Sequence, residues 1–534
     1  MKPKFNLLVV LLAISTLTFA QDWKTYPYNP SGQVAFPQDE GRHSAEPIEW
    51  WYSAGHVIGQ TTGKSYSFMY TFFHYPQAGF DGFRILNITD DDTGTFLQDV
   101  KPVNYNTLST TSFDIEATVF LAGTEFWRNK EDASNVPIPF EYKLFASTTN
   151  AGLDLEFETL KRPLILGDDG YLNQGENNYT YYFSQTMNAV IGSITFNGTT
   201  EPVIGTGWID RQYGNFNPLT GEKYEWFSMQ LSNGMDLNLW NIFTSNRLIP
   251  DNEAHKILSA YVDESTQYTT DDFQIERLAF NWMPDGQRCY SKQWRLTSDT
   301  NNIDLTITTL HDNTEVQLPF RFFEGATSIT GTVNGIAVNG IGFAELLHDY
   351  EDPEVTITSP ISGSYDTSMP ITWELTNPDD GRPIFYDLAY SIDNQNTFNS
   401  IATSLTNPSY LWENPTLSNG DQVWFKITAY SIDSVLNSTV ISASVSSATL
   451  TTDTHFLTTI TSYPNPVNAI FTIEFGAVLS GNYTIVDVSG RVITTSEIVN
   501  NQIVSLSTKH LKAGIYFVAI KTENGNANLR FVKQ

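Results

Sequence analysis

One cysteine, Cys289, stands among 534 residues. A lone thiol excludes an intramolecular disulfide framework and a cysteine-rich zinc site, and leaves a small packed side chain as its role. Basic residues are scarce: 29 Lys and Arg face 59 Asp and Glu, a formal net charge of −30. Nucleic acids and anionic membranes both need a surplus of Lys and Arg at the contact, so neither is an expected partner. Lys and Glu rarely recur at helical spacing, which weighs against long helices. Beyond the N-terminus no apolar run approaches the length of a membrane-spanning helix, and the mature chain is expected to have no transmembrane segment. A Gly-rich phosphate loop between strand and helix is missing, as is a Gly-x-Ser-x-Gly nucleophile elbow.

What the chain does contain is β-forming. Aromatics make up 13% of it, among abundant Thr, Ser, Asn and Gly, which points to an all-β protein. Its length exceeds one core and calls for several domains. The N-terminus reads as a signal peptide, residues 1–20. Lys2 and Lys4 precede an apolar Leu7–Phe19 segment, with Thr18-Phe19-Ala20 before Gln21 as the cleavage site. No Cys follows that site to carry a lipid.

Phe36 to Tyr75 concentrates the aromatic pattern. Strand Glu49–Ile58 places Trp50, Tyr52, Ala54 and His56 on one face and Glu49, Trp51, Ser53 and Gly55 on the other. Strand Lys64–Tyr75 aligns Tyr66, Phe68, Tyr70, Phe72 and His74, after a turn containing Gly59 and Gly63. An aromatic face continued across paired strands would line an apolar cavity; the plain alternative is an aromatic core. Further strands are expected at Phe113–Leu121, Phe140–Phe145, Gly152–Leu160, Tyr179–Gln185 and Ala189–Phe196. A strand carrying Trp208, Asp210 and Arg211 comes next, then a hairpin of Tyr224–Leu231 and Met235–Phe243 around Ser232-Asn233-Gly234, bearing Trp226 and Trp240. Asp210 and Arg211, as strand neighbours, face opposite sides.

Three ordered blocks carry a resemblance. PQDEGRHSAEPIEWWYSAGHV resembles the opening signature of the AttH/carotenoid 1,2-hydratase (hydroxyneurosporene synthase) family. GWIDRQYG with YEWFSMQLSNGMDLNLW resembles its centre, and FFEGATSITG with GIGFAELLHDY its ending. The resemblance spans Phe36 to Tyr350 and implies two tandem lipocalin-like β-barrels, residues 21–214 and 215–350. Relatives of this kind include hydratases of apolar isoprenoids and fungal Diels–Alderase-like cyclases. Glu49, Trp50, Trp51 and Asp210 match the family pattern. Arg211 and Tyr213 stand where hydratases have His and Trp, and Trp240 stands where they have Tyr. The resemblance therefore supports the fold and an apolar-ligand cavity more directly than it supports hydration.

Residues 354–450 resemble a fibronectin type III or immunoglobulin-like sandwich, through Ile371-Thr372-Trp373 and Trp424 to Tyr430, and read as a spacer. Residues 460–534 resemble the C-terminal sorting domain of type IX secretion cargo, a small β-sandwich, through Tyr463-Pro464-Asn465-Pro466, Val486 to Val492, Leu511 to Val518 and Leu529 to Gln534. That resemblance implies the type IX machinery as a partner, a secreted or cell-surface destination outside the outer membrane, removal of the domain there, and a Bacteroidetes source.

Acid-assisted hydration, cyclisation or isomerisation of an alkene needs a proton donor in an apolar pocket, and burial raises a carboxyl's pKa enough to hold that proton. Asp210 and Glu49 are the candidate acids, with Tyr213 beside them as a third catalytic candidate. Trp50, Tyr52, His56, Tyr70, His74, Arg211, Trp226 and Trp240 are the candidate binding residues for a hydrophobic small molecule. Each carboxyl has a structural alternative, as a strand-end acceptor or a partner of Arg211 or Arg42. The histidines lack His-x-His or His-Glu-x-x-His spacing, so neither a metal nor another cofactor is expected. A non-catalytic carrier of the same ligand, or a surface protein whose barrels present loops, fits the same residues.

Overall fold

The computed structural model describes Lys24 and residues 32–77, 79–176, 178–216, 221–318, 321–366, 368–413, 417–448, 460–522 and 525–534. The expected signal peptide lies outside the described residues. The chain divides into two compact units, Met1–Glu351 with Pro378–Pro383, and Asp352–Asn377 with Ile384–Gln534. Strands dominate throughout, and among the described residues no helix is long and apolar enough to cross a membrane.

The first sheet comprises β1 (Ile48–Gly59), β2 (Ser65–Gln77), β3 (Phe80–Asp90), β4 (Thr95–Leu108), β5 (Asp114–Val119), β6 (Gly123–Glu131), β7 (Pro137–Ser147), β8 (Ala151–Thr159), β9 (Leu164–Ile165), β10 (Tyr171–Gln174), β11 (Asn178–Phe196) and β12 (Thr199–Asn215). Antiparallel pairing runs β11-β12-β1-β2-β3-β4-β5-β6-β7-β8 and returns to β11, closing a barrel. Closure depends on a bulge in β11 between Gln185 and Asn188. Beyond it Asn188–Phe196 pairs with β8, while the preceding half pairs with β9 and β10. The two strands expected at Tyr179–Gln185 and Ala189–Phe196 are thus one long strand bent in the middle.

Inside this barrel Trp51, Tyr66, Phe68, Tyr70, Phe72, Trp127 and Phe157 interdigitate as a packed core. The expected aromatic face running from Trp50, Tyr52 and His56 onto Tyr70 and His74 does not form. The β1–β2 register pairs Glu49 with His74, Trp51 with Phe72 and Ser53 with Tyr70, while Trp50 lies opposite Phe73 and Tyr52 opposite Thr71. One residue of register decides which face joins which, and here it sends the second strand's aromatics inward with Trp51.

The second sheet comprises β13 (Lys223–Leu231), β14 (Asp236–Phe243), β15 (Lys256–Asp263), β16 (Thr266–Thr270), β17 (Gln274–Trp282), β18 (Cys289–Ser298), β19 (Ile303–Thr309), β20 (Glu315–Val316), β21 (Phe322–Val333) and β22 (Ile336–Leu346). Its order is β16-β15-β14-β13-β22-β21-β19-β18-β17, with β20 on β21, and it curls into a second barrel around Phe227, Leu239, Trp294, Leu305 and Phe323. The β13–β14 hairpin turns where Asn-Gly predicts, with Gly234 at φ +89°.

A third core joins the two barrels. Tyr52, Ala54, Met69, Tyr182 and Trp208 of the first pack against Trp226, Trp240, Ile242, Phe322 and Phe343 of the second. These residues lie on the outer faces of their strands, so each barrel spends one face on its own interior and the other on its neighbour. Such two-sided burial explains why β13 and β14 are buried almost end to end, although Glu225, Ser228, Gln230, Asp236, Asn238 and Asn241 are polar.

In the second unit, a three-stranded sheet (Val355–Ser359, Ile371–Leu375, Ser409–Tyr410) and a six-stranded sheet centred on Gln422–Ser431 enclose Trp373, Tyr386, Phe425 and Ile427. This is the expected immunoglobulin-like sandwich, held by burial without a cysteine pair. A five-stranded C-terminal sheet bends where the register of Ile470–Asp487 breaks after Glu474, wrapping around Phe471, Phe475, Val518 and Phe531.

Close strand approach makes Gly342 indispensable to the inter-barrel core. A Cβ added there would meet the Ser228 carbonyl oxygen at 1.8 Å, and the next residue, Phe343, packs on His56. Gly342→Ala is expected to destabilise the barrels by about 1–3 kcal/mol through overpacking. Urea denaturation measures this, and an unchanged midpoint would contradict the packing described.

Candidate functional site

Alternation on β1 and its partner β12 sorts the candidate residues. Trp50 lies opposite Gln212, Tyr52 opposite Asp210 and Ala54 opposite Trp208, while Glu49 lies opposite Tyr213 and Trp51 opposite Arg211. Asp210 and Arg211 accordingly make no ion pair. The structure brings Asp210, Trp50, Tyr52 and His56 to the face shared with the second barrel, where Trp226 and Trp240 stand. Glu49, Arg211, Tyr213, Tyr70 and His74 go to the interior or mouth of the first barrel and do not join them.

On the shared face Asp210 is buried and receives hydrogen bonds from Trp208 Nε1 (2.7 Å, to Oδ1) and the Tyr182 hydroxyl (2.6 Å, to Oδ2). Burial pushes its pKa up to about 7, despite hydrogen bonds from Ser184, Tyr182 and Trp208, and the Glu345 carboxyl adds to the rise. Across the interface Glu345 and Glu324 are direct cross-strand partners on β22 and β21, both buried. Tyr52 donates to Glu324 Oε1 at 2.8 Å, and Tyr224 donates to Glu345 Oε1. Two carboxyls set side by side in an apolar place share a proton rather than ionise together. Burial holds Glu345 at about 7, and burial with the Glu345 charge holds Glu324 well above the usual carboxylate range. Among the described residues no group of three or more His, Cys, Asp or Glu is arranged to hold a metal ion.

Asp210 and Glu345 line one cavity of about 20 Å³, walled by Trp50, Tyr52, Tyr182, Trp226 and Trp240. That is room for roughly one water molecule. Past Trp50, Gln212 and Trp240 it continues into a cleft of about 60 Å³ that reaches Phe216 and Lys223. The rings pack edge-on, Tyr52 on Trp226 at 5.3 Å and Tyr224 on Trp240 at 4.9 Å. A larger cavity of about 330 Å³ is lined by Phe36, Pro139, Phe140, Arg162 and Ile165. Its carboxyls, Asp168 and Glu264, are solvent-exposed. His56 is half-buried against Phe343, and desolvation lowers its pKa to about 4, leaving it neutral.

The second group is a rivet at the first barrel's mouth. Glu49 Oε1 accepts from Arg211 Nη2 at 2.6 Å and lies 3.0 Å from His43 Nδ1. Arg211 also donates to the Glu40 and Gly41 carbonyls, and its guanidinium lies over the faces of Trp51 and Phe113. Tyr213 stacks on His43 at 3.4 Å. Burial would lower the His43 pKa, but Asp39 and Glu49 raise it overall. Tyr70 donates to Glu125, which is paired with Arg84 inside the barrel, and His74 contacts Arg42. Glu49 therefore takes the Arg211 partnership that was its structural alternative.

The second barrel repeats this arrangement. Its first strand carries Glu225-Trp226-Phe227 where β1 carries Glu49-Trp50-Trp51. Each first strand pairs with the last strand of its own barrel, β1 with β12 and β13 with β22. Glu225 pairs with Arg277 at 2.5 Å inside its barrel, as Glu49 does with Arg211. In both barrels the Glu turns inward and the following Trp turns out to the shared cleft. Sequence reasoning missed Glu324 and Glu345, although both lie in the closing blocks FFEGATSITG and GIGFAELLHDY, each embedded among apolar strand residues. It also missed Tyr182, whose place beside Asp210 follows from the bent β11.

Comparison with known proteins agrees with this architecture. The AttH-like family model matches residues 27–350, and the secretion system C-terminal sorting domain matches residues 461–534. The chain is similar to the crystal structure of an AttH protein from Nitrosomonas europaea, at 22% identity and a TM-score of 0.50 over 60% of this chain and 98% of that one. It is also similar to kievitone hydratase from Nectria haematococca, at 16% identity and a TM-score of 0.49 over 60% and 95% of the two chains. No curated protein matches it. The sorting domain marks the chain for type IX secretion to the cell surface or extracellular space.

Two measurements check the electrostatics. A carboxyl whose pKa is raised on folding stabilises the fold fully below its unfolded value, and that contribution is lost as pH rises through the folded value. The melting temperature should therefore fall as pH climbs from the unfolded values of 3.8 and 4.5 through about 7, the folded value for Asp210, Glu345 and Glu40. Asp210→Asn should flatten that fall, and a variant with the wild-type slope would contradict the burial of an uncompensated acid. Glu49→Ala leaves Arg211 unpaired in the interior and is expected to cost about 3–5 kcal/mol in denaturant unfolding.

Proposed function

The chain belongs to the AttH-like family, and from that premise we propose that it is a secreted protein binding an apolar, alkene-bearing isoprenoid or lipid-like molecule between its barrels. In this reading it acts as carotenoid 1,2-hydratase-type proteins do, by acid-assisted hydration, cyclisation or isomerisation. We read its organisation as a signal peptide (1–20), barrel domains at 21–214 and 215–350, a spacer at 354–450 and a sorting domain at 460–534, in a Bacteroidetes-type bacterium.

The observation that carries the proposal is Asp210, a buried carboxyl held at about 7 on the wall of an aromatic cavity. A protonated Asp210 delivers its proton to one alkene carbon, and the adjacent carbon becomes cationic. The faces of Trp226, Trp240 and Tyr182 stabilise that charge. In hydration a water adds to the cation and gives its proton to the Glu345 carboxylate; in isomerisation Glu345 takes a proton from the neighbouring carbon; in cyclisation a second alkene closes on the cation first. The proton on Glu345 returns to Asp210 through water in the cavity, which restores both groups. Binding requires Trp50, half-buried and common to the cavity and the cleft, to swing aside. Glu49 and Tyr213, on the other side of the sheet, serve the barrel and not the reaction.

A carrier of the same ligand is the second reading, favoured by a cavity that the indole rings nearly fill. The compound that co-purifies with the full chain, identified by mass spectrometry and absorbance, is the probe that separates them. For an enzyme, Asp210→Asn should bind that compound with unchanged affinity and turn it over about a hundredfold or more slowly, the scale of a lost general acid. A carrier would show no turnover in either protein.

A further inference from the structure

The inter-barrel cavity is rich in unpaired hydrogen-bond donors. Trp50, Trp226 and Trp240 line it, and the indole N–H of each is buried without an acceptor among the described residues. Trp226 and Trp240 are themselves more than nine-tenths buried, at 3% and 6% exposure. The nearby acceptors are already engaged: Asp210 by Trp208 and Tyr182, Glu324 Oε1 by Tyr52, and Glu345 Oε1 by Tyr224. Glu324, held protonated beside Glu345, offers the indoles no free carboxylate.

Elsewhere the fold satisfies such groups or isolates them. Trp208 Nε1 finds Asp210 and Trp294 Nε1 finds Glu225. Trp127 and Trp373 also lack acceptors, but each stands alone in a separate closed core. Orphaned buried donors cost free energy, and three on one cavity wall are matched when a ligand brings the missing acceptors. A bare hydrocarbon would leave all three unpaired. An amine would add donors to a wall that already has them in excess.

Resting on the reading of this cavity as a ligand site, we infer that its ligand is an unsaturated apolar molecule carrying carbonyl or ether oxygens, held by the indole N–H groups of Trp50, Trp226 and Trp240. The oxygen function fixes the ligand in the cavity and leaves its alkene to meet Asp210. Carbonyl and ether oxygens accept without donating, which matches the three indole N–H groups. A carboxylate head is disfavoured by three buried carboxyls in a chain of net charge −30.

Equilibrium dialysis of the full chain against three probes with one farnesyl skeleton tests this: farnesene, with no heteroatom; methyl farnesoate, an acceptor-only ester; and farnesylamine, a donor. Methyl farnesoate is expected to bind at least about tenfold tighter than either other probe, since a site built to hydrogen-bond a polar group rejects analogues lacking it. Trp226→Phe and Trp240→Phe keep an aromatic ring and remove the N–H. In these variants the ratio of ester to farnesene affinity should fall towards one. Equal binding of farnesene and the ester, tightest binding of the amine, or an ester preference retained in both variants would each overturn the inference. The wild-type comparison decides the matter even if a variant fails to fold. If none of the three binds, the ligand-site reading itself falls and the inference falls with it.

Discussion

Everything distinctive about this molecule follows from the alternation of side chains on two pairs of strands, β1 with β12 and β13 with β22. Each pair joins the first and last strands of its barrel, and each is buried on both faces. The inward face carries a Glu paired with an Arg, Glu49 with Arg211 of β12 and Glu225 with Arg277 of β17. The outward face carries a Trp and, nearby, a carboxyl that no cation pairs among the described residues, Asp210 in one barrel and Glu345 in the other. Glu49 and Glu225 inside the barrels are neutralised by their Arg partners; Asp210 and Glu345 between the barrels are neutralised by protons.

That division gives the two sets of acids different work. Removing one member of an inward pair strands an ion, so those residues hold the fold together. The outward acids are kept at a pKa where a proton is both held and released near neutrality, the condition for acid–base work on an apolar ligand. The same aromatic side chains that exclude water from Asp210 and raise its pKa also wall the cavity. Proton affinity and the shape of the cavity therefore come from one packing arrangement.

Much of this was legible in the sequence. Alternation in EWWYSAGH separated Trp50 and Tyr52 from Glu49 and Trp51, and Asp210 from Arg211, as found. The all-β class, the Asn-Gly hairpin at Gly234 and the module order emerged from composition, turn chemistry and family resemblance. What could not be read was register. Whether Tyr70 and His74 share a face with Tyr52 or with Trp51 turns on one residue in the β1–β2 connection, and no composition rule fixes it. Glu324 and Glu345 escaped for a similar reason, because their significance lies in being directly opposite each other across two strands. Tyr182 reached Asp210 only through the bulge in β11.

The account stands or falls on protons held between the barrels. Infrared difference spectroscopy of the full chain against Asp210→Asn and Glu345→Gln, followed through a pH titration, measures them directly. A protonated-carboxyl band that belongs to these residues and disappears with a midpoint of about 7 is the predicted result. Both residues appearing only as carboxylates throughout the titration, down to the ordinary Asp and Glu values of 3.8 and 4.5, would contradict it.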